Sequence, residues 1–205
     1  MDSLSPADQN PSSESHPLRP FLPQGAKLLM CGTFPPQRHR WSMNFYYPNF
    51  INDMWRIFGL IYFNDKDYFV DIPGKTFKVD LLKECLAKHG IALSDTGREV
   101  VRTAGNASDK FLDIKRQIDL PAILAEIPEC KAVATTGEKA AGVIAEMTGT
   151  DIPKMGEYRV CCITDASGRK REIQHWRMPS SSRAYPLPLV KKAEIYGNMI
   201  HALDI

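Results

Sequence analysis

Ala26-Lys27-Leu28-Leu29-Met30-Cys31-Gly32-Thr33-Phe34-Pro35-Pro36 is a short apolar run that stops on a glycine and gives way to prolines. A run of this length bounded by turn residues predicts a buried strand ending near Gly32. Two later stretches repeat the design: Ile91-Ala-Leu-Ser94 running into Asp95, and Lys131-Ala-Val-Ala-Thr-Thr136 turning at Gly137. Residues 158–164 and 170–176 read as two more strands, joined by the turn Asp165-Ala-Ser-Gly168.

Helical patterns separate these strands. Residues 49–62 set Ile51, Met54, Trp55 and Phe58 on one face, and residues 79–89 do the same with Leu81, Leu82, Cys85 and Leu86 before Gly90. An Ala-rich helix is expected over 138–147, and 189–203 aligns Leu189, Ala193, Tyr196, Ile200 and Leu203. Strands alternating with helices predict an α/β fold, a parallel sheet covered on both faces. Ligands in such sheets bind beyond the carboxyl ends of the strands. That rule selects residues 32–36, 94–95, 136–137 and 178–183.

At 205 residues with 43% hydrophobic content, the chain suits one domain and is not a disordered protein. No apolar run approaches the roughly 20 residues of a membrane helix, so no membrane partner is expected. Residues 1–20 hold five Ser and four Pro and are expected to be a flexible tail rather than a targeting segment, leaving a domain over 21–205. Five scattered cysteines without a CxxC pair point to reduced thiols in a cytoplasmic protein, with no metal or cofactor expected. The net charge of +2 permits nucleic-acid binding without demanding it. The densest basic cluster, Gly168-Arg169-Lys170-Arg171, also reads as a solvated hairpin tip.

The strand-exit loops carry a resemblance. Gly32-Thr-Phe-Pro-Pro36, then Tyr46-Tyr47, then Asn52-Asp-Met-Trp55, resembles the first motif region of hypoxanthine-DNA glycosylases and mismatch-specific uracil-DNA glycosylases. These are branches of the uracil-DNA glycosylase superfamily. Gly90-Ile-Ala-Leu-Ser-Asp95 and Arg102-Thr-Ala-Gly105-Asn-Ala-Ser108-Asp109 are similar to the next region of the hypoxanthine type, and Met178-Pro-Ser-Ser-Ser182 to its Pro-Ser-x-Ser loop. Four weak motifs in the right order over residues 26–200 are specific together. The resemblance implies a three-layer α/β/α domain with a central, mainly parallel four-stranded sheet. It also implies a monomer that acts on DNA containing a damaged base.

A DNA glycosylase extrudes its nucleotide, holds the base in a pocket and hydrolyses the N-glycosidic bond. The resemblance makes Asn52 the catalytic candidate, orienting water through its carboxamide; Asn52 would otherwise be a cap early in a helix. Gly32, Thr33, Phe34 and Pro35 become candidates to meet the base, backbone N–H groups facing its developing charge. Tyr47 is the candidate stacking ring, although Phe45, Tyr46 and Tyr47 are also candidates for the core. Asp95 stands where uracil enzymes present Asn. An ionised carboxylate only accepts, which suits an N–H of hypoxanthine or uracil but repels the neighbouring carbonyl. Asp95 also reads as a cap or a partner of Arg98 or Arg102. Ser180, Ser181, Ser182 and Arg183 are the candidate DNA grip. Met178 replaces a histidine that hydrogen-bonds the leaving base in the classical uracil enzymes. His175 is expected on the opposite strand face and is no substitute for it.

Two functional classes remain open: a monofunctional glycosylase for hypoxanthine or uracil, and a nucleic-acid-binding module of the same fold with weakened catalysis. A Ser or Cys hydrolase fits poorly, since no Gly-x-Ser-x-Gly elbow is present.

Overall fold

The computed structural model describes residues 13–103 and 109–205. In chain order its elements are β1 (Glu14–Ser15), β2 (Leu28–Gly32), α1 (Met54–Phe63), β3 (Val70–Asp71), β4 (Thr76–Phe77), α2 (Val79–Lys88) and β5 (Ile91–Asp95). There follow β6 (Gly97–Arg102), β7 (Leu112–Gln117), α3 (Leu120–Glu126), β8 (Ala132–Thr136), α4 (Glu138–Thr148), β9 (Tyr158–Thr164), β10 (Lys170–Met178) and α5 (Leu189–Ala202).

The central sheet runs β5-β2-β8-β10-β9. Its first four strands are parallel, and β9 returns antiparallel along the edge of β10. The sheet has the five strands read from the residue patterns, one more than the four-stranded sheet that the resemblance implies. The extra strand comes from the turn after Thr164, where Asp165 Oδ1 accepts from the N–H groups of Ser167 and Arg169 and folds β9 back onto β10.

Every residue of β2, β5 and β8 is buried, as befits strands covered on both faces. Side-chain alternation divides two cores. Leu28 and Met30 join α1, α2 and α5 on one face, whereas Leu29 and Cys31 join α3 and α4 on the other. The result is the three-layer α/β/α arrangement.

Three departures from the sequence-based expectation matter for function. Helix α1 starts at Met54, not at residue 49, because side chains capture its approach: Asn49 Oδ1 accepts from Ile51 N–H and Asn52 Oδ1 from Met54 N–H. Such local bonds compete with helix, and Ile51, expected in the core, is 54% exposed. Second, β6 and β7 form a small antiparallel sheet that the strand patterns above do not include. Third, the tail expected through residue 20 is held from residue 13 onward. There β1 pairs with β6, His16 N–H donates to Arg98 O at 2.9 Å, and His16 itself is buried. Among the described residues no helix is long and apolar enough to cross a membrane.

Candidate functional site

Strand register brings the exit loops abreast. Gly32 of β2 faces Asp95 of β5, Cys31 faces Thr135 of β8, and Met178 of β10 faces Thr136. Beyond these ends lies a cavity of about 150 Å³. Gly32, Thr33, Phe34 and Pro35 form one wall, Tyr47 and Asn52 another, Asp95 and Thr136 the floor side, and Ser180, Ser181 and Ser182 the rim. Every site residue singled out in the sequence lines this cavity except Arg183. Arg183 lines a larger groove of about 940 Å³ that shares Asn49, Asn52, Asp109, Ser180 and Ser182 with the cavity.

Glycine at position 32 is a steric requirement. A Cβ there would lie 2.5 Å from Asp95 Oδ1. Thr33 Oγ1 donates to Asp109 Oδ2 at 2.7 Å, and the carbonyls of Gly32 and Thr33 accept from the N–H groups of Thr96 and Gly97. Phe34 contributes to the cavity wall, but its ring is buried against Val100 and Leu112 and edge-on to His16.

Of the three neighbouring aromatics, Phe45 and Tyr46 belong to the core, and Tyr47 reaches the cavity. Its backbone adopts φ 50°, a left-handed conformation uncommon for an aromatic residue. Strain of this kind gathers at functional sites. The Tyr47 hydroxyl shares a 3.1 Å hydrogen bond with Thr136 Oγ1, and its ring meets Trp55 edge-on. Burial, with the Asp95 charge nearby, pushes the phenol above its ordinary pKa, so it stays neutral.

Asn52 occupies the turn before α1 rather than the helix, with Oδ1 accepting from Met54 N–H at 2.9 Å. It holds the turn one residue ahead of the helix cap, Asp53, and lines the cavity at once. A carbonyl oxygen carries two lone pairs, so one lone pair and the amide N–H groups remain for a ligand.

The serine loop is fastened by residues that no sequence motif singles out. Asp53 N–H donates to Ser181 O at 2.9 Å, and Lys192 Nζ, fully buried, donates to Asp53 Oδ2 at 2.9 Å and to Ser182 O at 2.8 Å. Arg183 donates to Asp53 Oδ1 at 3.2 Å through both Nε and an Nη. Within the loop, Ser181 is buried, whereas Ser180 and Ser182 line the groove.

Two further groups at the site were not expected from the sequence. Asp109 stands on the wall shared by cavity and groove, with Lys139 Nζ donating to its backbone carbonyl at 2.9 Å. Burial raises its carboxyl above the usual value, against the opposing Thr33 hydrogen bond. It closes the motif at residues 102–109, of which 104–108 lie outside the described residues. The other is His16, whose Nε2–H donates to Asp95 Oδ2 at 2.8 Å. Asp95 is thus held neither by Arg98 nor by Arg102. Arg98 donates to Leu18 O, and Arg102 to Glu14 and Pro35 O. A lone His-Pro in a Ser- and Pro-rich stretch carries no sequence signal for that pairing.

His175 is buried on the sheet beside Thr135, its Nε2 3.1 Å from that hydroxyl, and burial lowers its pKa to about 4. It does not line the cavity. Met178 is buried at 1% exposure, at the edge of the groove. The groove, not the hairpin tip, gathers the cations: Arg40, Lys110, Lys139, Arg177 and Arg183 against the acids Asp109 and Glu138. In the cluster 168–171, Arg171 is buried and donates to the carbonyls of Leu124 and Pro128, while Arg169 and Lys170 are exposed.

No family model and no curated protein matches the chain. Among solved structures it is similar to the solution NMR structure of a "putative Uracil DNA glycosylase" from Methanosarcina acetivorans, with a TM-score of 0.59 and 16% sequence identity. The match covers 93% of this chain and 99% of that one. The fold is therefore uracil-DNA-glycosylase-like.

Proposed function

We propose that the protein is a monofunctional DNA glycosylase that hydrolyses the N-glycosidic bond of a deaminated base, hypoxanthine or uracil. The observation that carries this reading is the pairing of spaces: a cavity of about 150 Å³ that shares Asn49, Asn52, Asp109, Ser180 and Ser182 with a larger groove of about 940 Å³ lined by several cations. A glycosylase needs that pair, because it must hold a phosphate backbone while one extruded base occupies a pocket.

Roles follow from chemistry. Groove cations and the hydroxyls of Ser180 and Ser182 take phosphates. Tyr47 offers a neutral aromatic wall to the base, and Asp95 accepts an N–H from its edge. As the glycosidic bond breaks, its electron pair passes to the base and the sugar takes on oxocarbenium character. Water adds to that carbon and loses a proton. Asn52 orients this water through its amide. Asp109, whose raised pKa brings it nearer the working range of a base, accepts the proton. The base leaves as its anion and takes up a proton from solvent, and Asp109 returns its own to solvent, so the products are an abasic site and a free base.

Two observations favour a second reading, a binding module with weak catalysis. Asn52 Oδ1 is already engaged by Met54 N–H, and buried Met178 offers no hydrogen bond to a leaving base. Oligonucleotides carrying uracil, hypoxanthine or xanthine, as duplexes and single strands, separate the two. The enzyme reading expects free base and alkali-labile sites, without strand cleavage before alkali, and a loss in Asn52→Ala. Binding with no base released from any lesion would leave the module.

A further inference from the structure

His16 has no part in the steps above, although it is paired in the interior with Asp95, which has one. The two side chains are 0% and 8% exposed. Asp95 belongs to the cavity wall, yet the histidine that holds it comes from a segment that precedes the domain's first long strand. That segment is fastened at several points. Glu14 and Ser15 pair with Val100 and Glu99, Glu14 takes a hydrogen bond from Arg102 Nε, and the His16 ring lies edge-on to Phe34 and stacks on Tyr46. His16 Nδ1 meets Leu18 N–H at 3.1 Å and Leu18 O at 2.9 Å, so both ring nitrogens are engaged.

With Nε2–H occupying Oδ2, the remaining oxygen of Asp95 is the one left to the cavity, and a carboxylate oxygen can only accept. That oxygen lies against Gly32, whose missing Cβ makes its room. Deamination changes the one base feature such an acceptor reads. Adenine N1 and cytosine N3 carry lone pairs, whereas hypoxanthine N1 and uracil N3 carry N–H. A fixed acceptor attracts the second and repels the first. Guanine and thymine carry the same N–H, so this interaction separates a deaminated base from its parent, not from every normal base.

We propose that His16 is a specificity-determining positioning residue: from outside the cavity it fixes Asp95 as a pure acceptor, so that the site selects bases whose edge presents a ring N–H. The N-terminal segment then braces the base site from behind its lining. This rests on the glycosylase reading and names the edge recognised.

Single-turnover excision from four oligonucleotides tests it: hypoxanthine against 1-methylhypoxanthine, and uracil against 3-methyluracil, each pair differing at the ring N–H. Wild type prefers the N–H base of a pair by about tenfold or more, the discrimination that one hydrogen bond to a charged group supplies. His16→Phe keeps the ring packing without a donor, and its preference falls toward one. His16→Gln keeps an amide donor and retains most of the preference. If His16→Phe does not fold, His16→Ala is read in its place. Equal slowing of both members of a pair, with the ratio unchanged in the non-donor variant, makes His16 merely structural and overturns the proposal. Wild type inactive on hypoxanthine and uracil defeats the glycosylase reading itself, a different result from an active enzyme with an unchanged ratio.

Discussion

Lys192 Nζ lies 2.9 Å from Asp53 Oδ2, deep enough that neither side chain is more than 7% exposed, and the same ammonium reaches Ser182 O. One cation from α5 thereby ties the start of α1, beside Asn52, to the loop carrying Ser180 and Ser182. Lys192→Met keeps the length and apolar stem but leaves the Asp53 carboxylate buried with only Arg183. Removing one partner of a buried pair costs about 3–5 kcal/mol. Urea denaturation is expected to register a loss of that size, and Asp53→Asn in the same chain to recover part of it. A loss below about 1 kcal/mol, the value of an exposed pair, would mean that water reaches the site.

Asn52 accepts from Met54 N–H and is proposed to orient water, and two substitutions divide the two roles. Asn52→Ala removes the acceptor for Met54 N–H and is expected to cost about 1 kcal/mol of stability together with about 100-fold or more in excision rate. Asn52→Asp keeps the acceptor and adds negative charge where a helix N-terminus favours it, so stability is held. It loses the amide donors, and excision falls nonetheless. Equal activity of Asn52→Asp and wild type would remove the amide from the mechanism.

These two residues illustrate what the sequence made legible. The strands could be read because burial on both faces writes continuous apolar runs, as in Leu28–Gly32 and Ala132–Thr136. The cavity wall could be read because the parallel-sheet rule and the motif resemblance named the same exit loops. Pairings between distant segments could not. His16 with Asp95, Thr33 with Asp109 and Lys192 with Asp53 are 79, 76 and 139 residues apart, and no local periodicity encodes such a pairing. The strands β6 and β7 were obscured for a different reason. Each keeps only part of one face buried, against Phe34, so their apolar pattern is short and broken by charge.

Gly32→Ala probes the crowding between β2 and Asp95. The new Cβ would meet Oδ1 at 2.5 Å, and the carboxylate cannot swing aside without releasing His16. Overpacking of this sort costs about 1–3 kcal/mol. Excision is expected to fall further than stability does, because the displaced group is the one proposed to read the base. Thermal unfolding and excision measured on one preparation check both halves.

With Asp109 as the proposed base, stability and activity are expected to depend on pH in opposite directions. Burial raises its carboxyl above the ordinary 3.8, so over the window above 3.8 the folded chain binds more protons than the unfolded one. Stability from this group therefore declines as pH climbs through the window, and the ionised form is a net cost at neutral pH. Asp109→Asn, which can still accept from Thr33, is expected to be more stable than wild type at neutral pH, the difference closing as pH falls toward 3.8. Excision behaves inversely. Wild type loses activity on acidification, and the variant is slow throughout. A stability difference that does not change with pH would show that the carboxyl is not desolvated.

DNA affinity should report which cations face the backbone. Arg40 and Lys110 are exposed and line the groove, whereas Arg169 and Lys170 are equally exposed but sit on the β9–β10 turn outside it. Removing one cation that neutralises a phosphate lowers the slope of log affinity against log salt by about 1. Arg40→Ala and Lys110→Ala are each expected to lower the slope by about that much and to weaken all sequences alike. The hairpin variants, with identical change of net charge, should leave the slope untouched. Titration of a labelled duplex at several salt concentrations makes the comparison. If all four variants lower the slope equally, binding follows overall charge and the groove is not the track.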